Sequence, residues 1–246
     1  MADLSRHDGG LRPAVGVHNF QVLRANRTHP EFAAGTSFTY NHAPMLCYWK
    51  GRFYLQYLSS PVGEHEVPCH TLVCHSEDGV HWSKPQVAFP AITTQEGDMT
   101  LAHQRMGFYV SKSGRLLTLS FYGRAPRPND GTGIGRAVRE IYEDGSFGPL
   151  YFIRYNPGFG PENTPFPHYT ASPDAGFREA CDELLANALV VQQWEEEDCL
   201  AEDDFYVLRT GGKLKAFCWY TLPDGRIVGL WKSHFFTVAD RWEKGA

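Results

Sequence analysis

The chain has 246 residues, 42% hydrophobic and 14% aromatic, and 23 basic against 28 acidic side chains give a net charge of −5. That is enough chain to bury a sizeable core, as one large domain or two small ones. The mild acidity and the lack of any Lys/Arg run exclude a phosphate-tracking nucleic-acid binder, and no stretch is long and apolar enough to span a membrane.

The opening "MADLSRHDGG" holds no apolar segment of the kind that forms a secretory leader, so no signal peptide is expected. The first strong signal is "CYWKGRFYLQYL" (47–58), an aromatic-rich strand, a turn at Gly51 and an alternating strand. That is a hairpin by the period-2 rule. After it comes "SSPVGEHEVPCH" (59–70), much longer than a tight hairpin connection and carrying Glu64, His65 and Glu66 at its tip.

"CHTLVCH" (69–75) resembles a zinc cluster at first sight. On a strand, however, Cys69 and Cys74 point to opposite faces, and His70 and Cys74 lie roughly 13 Å apart. That is too far for one tetrahedral ion. The six cysteines (Cys47, Cys69, Cys74, Cys181, Cys199, Cys218) show no C-x-x-C spacing and read as free thiols filling a core. Ser76, Asp78, Gly79 and Trp82 then form an Asp-box, S-x-D-G-x-x-W. Its logic is turn chemistry: the Asp accepts backbone N–H groups, the Gly takes positive φ and the Trp packs between sheets. Asp78 and His81 are therefore read as structural.

The pattern recurs. "FYVSKSGRLLTLSFY" (108–122) turns at Gly114, and the long connection "FYGRAPRPNDGTGIGR" (121–136) follows, then a strand and "EDGSFGP" (143–149). "PFPHYTASP" (165–173) leads into "SPDAGFREACDELLANALVVQQWEEED" (172–198), the one convincing helix. A third hairpin, "YVLRTGGKLKAFCWY" (206–220), turns at Gly212. Gly51 and Gly114 are 63 residues apart and Gly114 and Gly212 are 98 apart, so the helix reads as an insertion into a repeat of about 63.

Four antiparallel strands per repeat with an Asp-Gly turn predict an all-β fold, a β-propeller. Blades are expected over about 36–90, 100–155 and 200–240, with the helical insertion at 172–198, within a single domain 1–246. Propellers close with roughly four to eight blades. The expectation is therefore an incomplete, N-terminal part of a longer propeller.

In such a blade the long second-to-third-strand loops share one face with the connections between blades. Long loops on a rigid scaffold are where binding chemistry concentrates. Nine residues before each anchor glycine stand His42, Arg105 and Asp203, equivalent positions at the mouth of the central channel. Asn41 and His103 sit beside that ring. His65 and Arg124 come from the two long loops, Tyr109 lies in mid-strand, His168 and Tyr169 precede the helix, and Arg136 opens a third strand, where it either reaches substrate or pairs with Glu140. Each residue also has a purely structural reading, as a hydrogen-bonded core histidine, a solvated loop residue or a loop staple.

Neutral His and Tyr beside Arg suit one chemistry: Arg neutralises a uronate carboxylate, His or Tyr removes the proton α to it, and an acid protonates the leaving oxygen. That is β-elimination.

"QVLRANRTHPEF", "FTYNHAPMLCYWKGRFYLQYLSSPVGEH" and "SEDGVHWSKPQVAFP" resemble the N-terminal blades of sialidase-superfamily propellers, across about residues 18 to 170. Within that superfamily they are most similar to the seven-bladed L-rhamnose-α-1,4-D-glucuronate lyases. Related ulvan lyases share a His, His, Tyr, Arg, Tyr order that His42, His65, Tyr109, Arg124 and Tyr169 match. The resemblance implies an acid–base pair drawn from His42 and His65, Arg124 on the carboxylate, and an acidic oligo- or polysaccharide as the partner. It implies no cofactor for the chemistry. Some members carry a structural metal, for which no position here stands out, and members are commonly exported.

The sequence thus points to a polysaccharide lyase, with catalytic His42, His65, Tyr109, Arg124 and Tyr169 and substrate contacts at Asn41, His103, Arg105, Arg136 and His168. Two rivals stand beside it. A sialidase-like glycoside hydrolase would draft Arg24, Arg105 and Arg124, but no carboxylate stands at the channel end of an inner strand in the first two blades. A non-catalytic sugar-binding propeller would need none of the acid–base groups.

Overall fold

The computed structural model describes residues 16, 18, 20–103, 107–126, 128, 132–187, 190–191, 194, 206–207, 213–222, 224–233 and 244–245. The first sheet runs in chain order, β1 (Tyr40–Trp49), β2 (Arg52–Ser60), β3 (His70–Ser76) and β4 (Gln86–Phe89), every pair antiparallel. β1 and β2 join through Lys50 and Gly51, with φ of 46° and 82°. Positive φ at both central residues is the turn that matches strand twist, and the Lys-Gly pair supplies it.

The second sheet repeats the plan with its inner strand in two pieces, β5 (Thr100–His103) and β6 (Phe108–Val110), both paired to β7 (Leu116–Arg124). β8 (Gly135–Ile141) and β9 (Tyr151–Tyr155) complete it. The helix α1 (Ala175–Leu185) follows, shorter than the expected 172–198, with Val190, Val191 and Trp194 helical beyond it. A third antiparallel sheet, described by its backbone, runs β10 (Tyr206–Val207), β11 (Lys213–Thr221), β12 (Ile227–Ser233) and β13 (Lys244–Gly245). Among the described residues, three antiparallel sheets in chain order, each on a four-strand plan, and one α-helix are the expected all-β propeller architecture. The Gly212 turn lies outside the described residues.

Alternation decides what each sheet face buries. Tyr54, Val73 and Ala88 of the first sheet pack with Leu116, Tyr122, Ala137 and Phe152 of the second. Polar ties cross the same interface: Trp49 Nε1 donates to the Gly114 carbonyl at 2.9 Å, and the Thr71 hydroxyl donates to the Ala102 carbonyl at 2.9 Å. Arg139, half-buried on β8, donates to the carbonyls of Gly148 and Ala88 at 2.9 and 2.8 Å and stacks on Phe147. The opposite face of the first sheet, Tyr57, Leu72 and Cys74, is covered by Val22, Leu23, Ala34 and Trp82.

The opposite face of the second sheet is covered by α1. Leu117, Leu119, Val138 and Ile153 bury against Phe177, Ala180, Cys181 and Leu184. The sequence arranges this with apolar residues at helical spacing, and Asp174 caps the helix by accepting the Phe177 N–H at 3.1 Å. Arg115 bridges Asp174 and Glu140, at 2.8 and 2.7 Å, tying the helix start to the sheet. The insertion is thus a lid on the second sheet's apolar face rather than a surface appendage.

The Asp-box turn forms as expected. Asp78 Oδ1 accepts the N–H groups of Val80 and His81 at 2.8 Å, the Ser76 hydroxyl accepts that of Gly79 at 2.9 Å, and Trp82 Nε1 donates to the Gly79 carbonyl. The His81 and backbone hydrogen bonds hold the Asp78 carboxyl far below the usual carboxylate range. Cys69, Cys74 and Cys181 are buried free thiols and Cys47 is a half-buried one; Cys69 and Cys74 pack into separate clusters. Among the described residues no helix is long and apolar enough to cross a membrane.

Candidate functional site

The site begins with a bulge. β1 pairs β2 regularly from Tyr40↔Ser60 to His42↔Leu58, then resumes at Met45↔Gln56. Ala43 and Pro44 therefore stand opposite Tyr57 alone, and Ala43 takes φ 51°, a left-handed backbone uncommon for a residue with a Cβ. Bulges re-aim side chains beside functional sites. Here the bulge sets the direction of Asn41 and His42, immediately before it.

The 61–69 loop folds back over the start of β1. The Thr39 N–H and hydroxyl both donate to the Pro61 carbonyl, at 3.2 and 3.1 Å, and the Ser60 hydroxyl donates to the Gly63 carbonyl. This fold-back carries Glu64 to His42: Glu64 Oε1 lies 3.6 Å from His42 Nε2 and 3.9 Å from His65 Nε2. All three side chains stay partly exposed. The Tyr40 ring lies 5.9 Å from that of His42, and burial together with the Glu64 charge pushes the Tyr40 phenol up. His70 closes the loop as scaffold. Its Nδ1 accepts the Ala91 N–H at 2.8 Å, its ring stacks on Phe38, and burial lowers its pKa, so it stays neutral.

Beside the cluster, between residues 21–25 and β1–β2, lies a cavity of about 400 Å³ lined by Arg24, Asn41, His42, Pro44, Leu55 and Tyr57 among others. His42 lines both this cavity and the carboxylate cluster.

The other predicted residues go elsewhere. Arg124 is paired with Glu96 at 3.1 Å and lies over the Phe159 ring at 5.5 Å. Tyr109 points into the helix-covered face and donates to Glu183 at 2.7 Å; burial and that carboxylate push its phenol up to about 12. Tyr169, 6% exposed, donates to Asp182 at 2.6 Å, and burial with that bond likewise raises its pKa. A phenol so held is a donor to a helix carboxylate, the opposite of a poised base. The His168 ring packs at a tilt against those of Tyr169 and Tyr155, and its Nδ1 bonds the Thr170 hydroxyl at 2.9 Å.

Arg136 is a correction. Expected to reach substrate or to pair with Glu140, it is 0% exposed, sandwiched between the Phe121 and Trp194 rings with an N–H donated to the Trp194 carbonyl at 3.0 Å. Glu140 pairs instead with Arg115, one residue past the turn at Gly114. His103 pairs by its backbone with Phe121, but its side chain, Arg105 and Asp203 all lie outside the described residues.

Sequence reasoning noticed Glu64 only as a neighbour of His65, and did not single out Tyr57 at all. Tyr57 carried no signal in the sequence: counting from the Lys50–Gly51 turn pairs Asn41 with Ser60, on the face opposite Tyr57, and only the bulge moves Asn41 opposite Ser59, on the face that Tyr57 shares. The bulge that sets Tyr57 against two residues had no sequence signal. Among the described residues no group of three or more His, Cys, Asp or Glu side chains forms a metal cage.

Residues 1–212 match the family described as BT_1020-like, N-terminal beta propeller. A solved structure named "Sialidase" is 47% identical, with TM-score 0.82, over 94% of this chain; the chain spans 23% of that protein's length. A crystal structure from Dyadobacter fermentans DSM 18053, described as an unknown function protein, is 15% identical with TM-score 0.37 over 91% of this chain and 56% of its own. No curated protein matches.

Proposed function

The chain belongs to the BT_1020-like, N-terminal beta propeller family, and from that premise we propose that it contributes the first blades of a sialidase-like glycoside hydrolase acting on an acidic glycan. The observation that carries the reading is the contact of Glu64 with His42 and His65. The sequence-level objection to a hydrolase was the lack of a carboxylate at the channel end of an inner strand. Glu64 answers it from the loop, by touching the residue that stands there. The name of the 47%-identical structure supports the same reaction class.

In that reaction the glycosidic C–O bond breaks as a proton passes to the departing oxygen. Water adds to the anomeric carbon and gives up its own proton. A protonated imidazole of the pair, oriented by the Glu64 carboxylate, gives its proton to the departing oxygen, and the imidazole so left neutral takes the proton from the incoming water, which restores it. Separations of 3.6 and 3.9 Å are longer than a working hydrogen bond, as is common before substrate tightens a site.

β-Elimination from a rhamnosyl-glucuronate linkage is the second reading, and the two histidines favour it as much as they favour hydrolysis. It also asks for a free arginine and tyrosine. Arg124 is bound to Glu96, and Tyr109 and Tyr169 to helix carboxylates, so those three residues are already engaged. One assay separates the two. The purified protein is incubated with acidic glycans, and released reducing ends are followed together with absorbance near 235 nm. New reducing ends without absorbance support hydrolysis. Rising absorbance marks an unsaturated uronate and overturns it in favour of elimination. Neither signal on any acidic glycan overturns both and leaves a sugar-binding propeller.

A further inference from the structure

Residues 21–25 lie against the outer face of the first sheet, where Val22 and Leu23 pack on the buried cluster of Tyr57, Leu72 and Cys74. The segment holds no regular structure, and among the described residues none of its backbone N–H or C=O groups bonds to another backbone group. Apolar side-chain contact is what keeps it in place. It also forms one wall of the cavity of about 400 Å³ whose other wall carries Asn41, His42 and Tyr57.

The same sheet face carries polar atoms that nothing satisfies. The Tyr57 side chain is only 4% exposed, yet its hydroxyl is buried without a hydrogen-bond partner, and so are Ser59 Oγ and Asn41 Oδ1. The three stand together: Asn41 pairs with Ser59 across β1 and β2, and Tyr57 shares the face of Ser59 by the period of two. They are closed off from the open cavity, so nothing in it meets them. Movement of the segment away from the sheet exchanges the apolar contacts of Val22 and Leu23 for hydration of these atoms, two effects of opposite sign and comparable size.

We propose that residues 21–25 are a strap that exchanges between the closed state of this structure and an open state in which Tyr57, Ser59 and Asn41 are hydrated. Segments with few hydrogen bonds open locally at a small fraction of the free energy of global unfolding, and this one has no backbone ladder to break. Opening lifts one wall from the cavity and widens the approach to His42, so the strap gates that side of the site. The device depends on packing alone and stands whether or not the carboxylate cluster catalyses hydrolysis.

Cys74 reports the opening, because it belongs to the cluster that the strap covers. Cys69, packed with Leu58 and Leu101, and Cys181, on the buried face of α1, serve as controls elsewhere in the core. Burial raises all three thiols, so none reacts while its cover is closed. The experiment is native-state labelling with iodoacetamide over a range of low urea concentrations, each cysteine read by peptide mass spectrometry. Cys74 is expected to label about tenfold or more faster than Cys69 and Cys181, with a shallow urea dependence, because opening a strap exposes little surface. Tyr57→Phe removes an unmet hydroxyl from the closed state and slows Cys74 labelling about tenfold. Leu23→Ala removes apolar contact and speeds it by about the same factor. Cys74 labelling that matches Cys69 in rate and urea dependence shows that the segment parts from the sheet only on global unfolding, and overturns the proposal. Fast labelling that Leu23→Ala leaves unchanged means that Cys74 is reached past Trp82. Fast labelling that Tyr57→Phe leaves unchanged means that hydration does not drive the opening. Each of these overturns it as well.

Discussion

Glu64 reaches back across its strand connection to place Oε1 3.6 Å from His42 Nε2, joining a loop tip to the start of β1. The length of the 61–69 loop has its use here: a two-residue turn between β2 and β3 would leave His42 with no acidic partner. Glu64→Gln is expected to lower turnover by roughly 10²–10⁴, the usual worth of an acid–base group. The thermal midpoint should hardly change, since the cluster is partly exposed and such pairs contribute little to stability. Steady-state assays beside thermal melts check this, and a variant with full activity removes Glu64 from the mechanism.

Tyr109 and Tyr169 each spend their hydroxyl on a carboxylate of α1. Tyr109→Phe and Tyr169→Phe are each expected to cost about 1 kcal/mol of stability and to leave turnover intact. Denaturant melts with parallel rate measurements test both halves. Loss of turnover at unchanged stability would instead return these tyrosines to the chemistry and revive the elimination reading.

The Tyr109–Glu183 bond also sets a pH window. Hydrogen bonding to Tyr109 lowers the Glu183 pKa, so its contribution is present above the ordinary value of 4.5 and is lost as pH falls through the depressed folded value. Tyr109 is raised from 10.0 to about 12, so its neutral form stabilises the fold fully below 10 and that contribution fades as pH climbs toward 12. Asp78 and Asp174 are lowered as well and add to the acid limb. Thermal midpoints measured across pH should form a plateau between these limbs. Replacing Tyr109 with Phe should soften the alkaline limb, and an unaltered limb would show that Tyr109 does not set it.

Arg139 clamps the first two sheets by donating to Ala88 on β4 and to Gly148. Arg139→Met keeps much of the stem but orphans two carbonyls, so a loss of about 1–3 kcal/mol is expected. Chemical denaturation reads it directly. A loss below half a kilocalorie per mole would mean that water replaces the guanidinium.

Ala43 at φ 51° occupies a conformation that favours glycine. Ala43→Gly should leave stability unchanged or improve it, although glycine elsewhere in a strand weakens it. A clear drop in the melting temperature would show that the Ala43 methyl packs usefully in the bulge.

The turns at Gly51 and Gly114, the Asp-box and the start of the helix are legible in the sequence, because each is a local statement about alternation, turn geometry or helical spacing. Gly51, Asp78 and Asp174 do their work within three residues of themselves. The convergence of Glu64 on His42 was not legible, since a loop's path depends on backbone bonds such as that from Thr39 to Pro61, which join residues distant in sequence. Nor was the fate of Tyr109, Tyr169 and Arg136. Sequence position allowed them to face a channel or a neighbour, and only the packing of α1 and of Trp194 beyond it against the second sheet engaged their polar groups. Composition and period determined the architecture because they act along the chain. The tertiary structure decided which polar groups meet because desolvation and partnering act across it.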